Sequence, residues 1–244
     1  MRRGFLLAAA GMLVSGRAMA QSFSEAQRAE IVDILRDALR RDPSILRDAL
    51  TAMQATEERE RVDAQRSALS AHRSAIFDTP GDPVRGNPAG DVTIVEFFDI
   101  RCPYCKRLHG EMAEVLRRDR NLRIVMKDLP ILGPQSVVGA RALLAADRQG
   151  RYSALYDALM RLRGEPTDEV IRTEARRVGL DLDRLAADMR DPQIQRRLDA
   201  NIALARALHI EGTPALVIGE TLIPGAIPAE QIARLVRQQR ERRG

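Results

Sequence analysis

From Ser24 to about Phe77, apolar residues at Ile31, Ile34, Leu35, Ala38 and Leu39, then Ile45, Leu46, Ala49, Leu50 and Met53, recur at spacings of three and four. That period predicts amphipathic helices. The stretch holds no glycine and one proline. Ser24 followed by Gln27 suits a capping box, and Asp42-Pro43 separates the first helix from the second. Residues 54–76 are mostly polar, with Val62, Leu69 and Ile76 one heptad apart. So thin a stripe either lies on its own domain or pairs with other copies of the chain; the expectation is a self-associating stalk over residues 21–78.

Breaker residues then cluster from Asp78-Thr79-Pro80-Gly81 through Gly90 and mark a domain boundary. Val92 to Phe98 is β-branched and aromatic, which predicts a buried strand, with Glu96 as the one charge inside it. Pro103 suits the first position of a helix running through Leu108, Met112, Val115 and Leu116, and Leu122 to Met126 reads as a second strand. Residues 135–208 are helical, broken near Gly150, Gly164-Glu165-Pro166, Gly179 and Asp191-Pro192. Short strands at Ala215 to Ile218 and Thr221 to Ile223 precede a last helix from Pro228 to about Arg240. The order β–α–β, helices, β–β–α predicts an α/β domain over 79–244, a thioredoxin fold with a helical insertion, preceded by the N-terminal helical extension.

Composition adds few constraints: 244 residues, 45% apolar and 30% charged, describe a folded chain. Charge matters more. The net +5 suggests nucleic acid until it is assigned to segments. Arg2-Arg3, the apolar run Phe5 to Val14 and Ala18-Met19-Ala20 read as a signal peptide over residues 1–20, by the general or the twin-arginine route. Without Arg2, Arg3 and Arg17 the charge falls to +2. The expectation is a periplasmic protein with no nucleic-acid partner.

Export changes the meaning of the two cysteines, Cys102 and Cys105. A loop this small adds little stability as a disulfide, so its value is chemical. Cys102 at a helix N-terminus would be stabilised as a thiolate, and Cys105 faces the same side one turn on. Glu96 in an apolar strand either exchanges protons with Cys105 or faces an edge and water. Thr213-Pro214 precedes a strand, where a cis bond would bring the backbone towards Cys102 and a substrate chain. Lys106 follows Cys105 where haem attachment needs His. His72, His109 and His209 lack zinc-ligand spacing; His109, four residues after Cys105, leaves a non-enzymatic Cu(I) protein as an alternative.

The run Gly86 to Asp99, Cys102-Pro103-Tyr104-Cys105, Pro130-Ile131-Leu132-Gly133 and Gly212-Thr213-Pro214-Ala215 resembles the DsbA-like family of exported thiol–disulfide oxidoreductases. The N-terminal helices and Thr213 look most like its suppressor-of-copper-sensitivity C branch. The resemblance implies Cys102 as nucleophile, Cys105 as resolving thiol, Glu96 as buried acid and Pro214 as a cis proline, with Thr213, Pro103 and Tyr104 around the pair. It implies no cofactor and no bound metal. It also implies unfolded or misoxidised exported proteins as substrates, a DsbB- or DsbD-like membrane partner, and a homo-oligomer through residues 24–77. Tyr104 and Thr213 depart from the oxidase archetype, which has His and Val there, so isomerase or reductase action is expected, with a DsbA-type dithiol oxidase as the alternative.

Overall fold

The computed structural model describes residues 23–242. The expected signal peptide lies outside them. The chain divides into two compact units that meet at Glu58 and Arg59, inside one long helix.

The first unit is helical. Helix α1 (Glu25–Arg41) opens on a capping box: the Gln27 amide donates to Ser24 Oγ at 3.2 Å, and the Ser24 amide donates to Gln27 Oε1 at 2.9 Å. Helix α2 (Ser44–Ala71) starts after Pro43. Helix α1 buries no residue, and Ile31, Ile34, Leu35, Ile45, Leu46, Leu50 and Met53 are all exposed. The amphipathic pattern is present; among the described residues of the unit nothing covers its apolar face.

The second unit corrects one expectation. Leu69, and Ile76 in the short helix α3 (Arg73–Phe77), are buried in a cluster with Val95, Phe97, Val125 and Leu129. Of the heptad stripe only Val62 is exposed. Those two residues therefore seal the domain's own sheet, because burying them there removes more apolar surface from water than leaving them on a stalk.

Five strands form the sheet: β1 (Val84–Gly86), β2 (Val92–Phe98), β3 (Leu122–Asp128), β4 (Ala215–Ile218) and β5 (Thr221–Pro224), in the order β1-β3-β2-β4-β5. Strands β2 and β3 are parallel, joined by the crossover helix α4 (Pro103–Arg118); the other pairings are antiparallel. Alternation along β2 sends Ile94, Glu96 and Phe98 towards α4, and Val95 and Phe97 towards α3. Strand β1 was hidden among the breakers. It is three residues long and ends at Gly86, where φ is +78° and a Cβ would stand 2.5 Å from the Leu122 carbonyl oxygen.

The insertion comprises α5 (Pro134–Asp147), α6 (Tyr152–Met160), α7 (Asp168–Arg177), α8 (Leu182–Asp188) and α9 (Pro192–Ala207), broken where the glycines and prolines predicted. Helix α10 (Ala229–Glu241) closes the α4 face with Ile232 and Val236.

Candidate active site

Cys102 is the N-cap of α4, and Pro103 holds the first helical position, where a missing N–H costs nothing. Both cysteines are free thiols and both are buried. The loop before them is held by Asp99, whose carboxylate accepts from the amide of Arg101 at 2.8 Å and from those of Ile131 and Leu132 at 2.9 and 3.0 Å. That clamp places exposed Ile131 and Leu132 on the same loop system as the cysteine pair. Tyr104 is also exposed, under the Arg107 guanidinium at 5.1 Å.

The Thr213–Pro214 peptide is cis, and Cys102 Sγ lies 3.1 Å from the Thr213 carbonyl oxygen, to which it donates only while protonated. Four groups stabilise the charged sulfur: the Cys105 thiol first, then the Thr213 side chain and the amides of Cys105 and Tyr104. Against burial, they lower the Cys102 pKa to about 5, so the sulfur is a thiolate at neutral pH. Burial, reinforced by the thiolate beside it, pushes Cys105 far the other way, and it stays a thiol. One sulfur is an available nucleophile; the other needs a base.

Glu96 is fully buried beneath them, which excludes the solvated edge position. It accepts from the Tyr156 hydroxyl at 3.2 Å. Burial raises its pKa, opposed by Arg85, the Tyr156 bond and His109. All five expected residues thus come to one region of the domain, Glu96 below and Thr213-Pro214 beside the sulfurs. A groove of about 400 Å³ continues from the cis peptide, lined in part by His209, Gly212, Leu222 and Gly225.

His109, the residue of the copper alternative, faces inward. It is buried, with Nε2 2.8 Å from Asp157 Oδ1, and among the described residues no group of three His, Cys, Asp or Glu side chains could hold a metal. Asp157 thus engages the Nε2 side of this imidazole. Arg85, Tyr156 and Asp157 were not anticipated at all. Asp157 lies 72 residues from Arg85 in sequence, and no spacing rule links them.

A parallel β–α–β unit with two thiols at a helix N-terminus and a cis proline alongside defines a thioredoxin-type thiol–disulfide oxidoreductase. The chain belongs to the DSBA-like thioredoxin domain family, whose model matches residues 93–237; residues 27–60 match the copper resistance protein ScsC N-terminal domain. A thioredoxin-like oxidoreductase from Silicibacter pomeroyi is 41% identical with a TM-score of 0.68, covering 69% of this chain and 98% of its own. A linker-deletion mutant of Proteus mirabilis ScsC is 26% identical with a TM-score of 0.67, covering 92% of this chain and 100% of its own. The Na(+)/H(+) antiporter NhaA 1 of Salinispora arenicola is 30% identical over 161 residues, which are 65% of this chain and 25% of the antiporter. The chain thus spans about a quarter of the length of that curated relative. No helix among the described residues is long and apolar enough to cross a membrane.

Proposed function

We propose that this protein is a periplasmic thiol–disulfide oxidoreductase that acts on exported proteins as an isomerase or reductase within a homo-oligomer. The observation that carries this reading is the unequal pair, a Cys102 thiolate at a helix N-terminus above a buried Cys105 thiol. The Cys102 thiolate attacks a substrate disulfide, its S–S bond breaks, and one substrate sulfur leaves as a thiolate that takes a proton from water. In the mixed disulfide, Cys105 gives its proton to Glu96 and attacks Cys102 Sγ. The second substrate sulfur leaves, the substrate is reduced by two electrons, and the pair is oxidised. Isomerisation instead returns Cys102 by attack of a substrate thiol, with no net redox change. Thr213 and Pro214 present backbone groups to the substrate chain, and the adjoining groove receives it.

Sustained isomerisation needs an electron-donating membrane partner of DsbD type. Oligomerisation is assigned to the uncovered face of residues 31–53, supported by the family match over residues 27–60. Export rests on the Arg2-Arg3 leader pattern. A dithiol oxidase is the second reading, favoured by one observation: a thiolate stabilised to about pH 5 favours the reduced pair and makes its disulfide easily reduced.

Cys102→Ser should abolish exchange with a model disulfide, while Cys105→Ser should accumulate mixed disulfides on non-reducing gels. Equal residual activity in both would overturn the assigned roles. The reduction potential of the pair, with refolding of a scrambled-disulfide substrate, separates isomerase from oxidase. Ile34→Glu with Leu46→Glu should lower the solution mass and leave simple thiol exchange intact.

A further inference from the structure

Behind Glu96, three separate elements bring polar side chains together. Arg85 enters from β1, His109 from α4, and Tyr156 and Asp157 from α6. Arg85 Nη2 lies 2.5 Å from Asp157 Oδ1, and His109 Nε2 reaches the same oxygen at 2.8 Å. The Arg85 guanidinium carbon sits 4.4 Å from the centre of the Tyr156 ring, whose hydroxyl bonds Glu96. The Arg85 and His109 side chains are 9% exposed and Asp157 is 32% exposed, so the group runs from the buried carboxyl to the domain surface.

The group is incompletely paired where it approaches Glu96. Arg85 Nε and Nη1 and Glu96 Oε2 are buried without a hydrogen-bond partner. An arrangement selected for stability alone would close these bonds or replace the ions with apolar side chains. Keeping Arg85 on Asp157 leaves Glu96 near a cation but not locked to it.

We propose that Asp157, acting through Arg85 and braced by His109, is a positioning residue that sets how readily Glu96 takes up and releases the Cys105 proton. This rests on the reading of Glu96 as proton acceptor for the resolving thiol. A cation facing Glu96 favours its carboxylate, and Asp157 offsets that cation. Without Asp157, the full field of Arg85 falls on Glu96, which then holds its proton less well. Without Arg85, Glu96 holds it more tightly. The groups that face Glu96 are Arg85 from β1, Cys105 and His109 from α4, and Tyr156 from α6; its register partners Met126 and Leu216 on β3 and β4, and Ile232 and Val236 of α10, are apolar. The directions already visible agree: burial raises Glu96 and Arg85 opposes it, while against its own burial Asp157 is held below its ordinary value by His109 and Arg85.

The test titrates Glu96 itself in the full chain, by the infrared band of its protonated carboxyl, which Glu96→Gln identifies by removing it. Asp157→Asn keeps the shape and the surface position, and should move the midpoint down by about one pH unit. Arg85→Gln should move it up by a similar amount, the double variant should return towards the parent, and Asp157→Glu should restore it. The pH profile of mixed-disulfide resolution should shift with the same signs. Unmoved midpoints, or shifts of the same sign in both single variants, would overturn the proposal and leave the cluster a packing feature. If Arg85→Gln fails to fold, Asp157→Asn decides alone by its sign. Should Glu96→Gln leave resolution and its pH profile unchanged, the proton-acceptor reading fails, while the opposed band shifts still decide the charge balance.

Discussion

The two faces of one sheet treat buried ions in opposite ways. On the α3 face, Lys127 of β3 donates to the Ala75 carbonyl at 2.7 Å, to Thr79 Oγ1 at 3.3 Å and to the Asp82 carboxylate. Three donors meet three acceptors, and the segment from Ala75 to Asp82 is pinned to the sheet. On the α4 face, Glu96 of β2 has one bond, to Tyr156, and a carboxylate oxygen with none. The first arrangement gives each buried charge a partner; the second leaves a carboxylate oxygen without one. Complete pairing makes a buried ion structural, and incomplete pairing leaves it able to exchange a proton.

The contrast can be broken first at Lys127. Lys127→Met leaves buried Asp82 with only the longer Arg197 Nη1 contact at 3.4 Å, and about 2–4 kcal/mol of stability should be lost in denaturant unfolding, with thiol exchange by the folded fraction unchanged. A loss below about 1 kcal/mol would show that the pair anchors nothing. Glu96→Gln should do the reverse and slow resolution by Cys105 by about a hundredfold, read as the decay of a trapped mixed disulfide. Its effect on stability has a definite sign. A carboxyl raised by folding contributes stability that is present below its unfolded pKa and lost as pH rises through the folded one. The stability of the variant minus that of the parent should therefore rise with pH, and a difference that falls with pH would sink the buried-acid assignment. The smallest effect belongs to Thr213→Val, which removes one hydrogen bond to the thiolate. The Cys102 midpoint should rise from about 5 by about one pH unit, followed by thiolate absorbance.

Much of this was legible in the chain. Strand β2, helix α4, the breaks at Gly150, Gly179 and Asp191-Pro192, and the Ser24 cap all follow from local period and breaker chemistry. Strand β3 was read short, because Lys127 and Asp128 look like surface residues until Asp82 and Tyr152 are seen to bind them. Leu69 and Ile76 have the same heptad spacing whether they face another copy or their own sheet, so period alone did not assign them. The pairing of Arg85 and His109 with Asp157 left no trace in the sequence, since the partners lie on a strand and two helices far apart along the chain.

The sequence by itself determined the kind of chemistry: two thiols one helical turn apart, a proline to start the helix, and an acid inside an apolar strand. Those are local facts, because the backbone period dictates which side chains share a face. Only the tertiary structure decided how those groups ionise. The depression of Cys102 depends on Thr213 as well as on its own helix, and the rise of Glu96 on burial offset by Arg85. Proton affinity depends on the distance to charges and to water, and folding alone sets both.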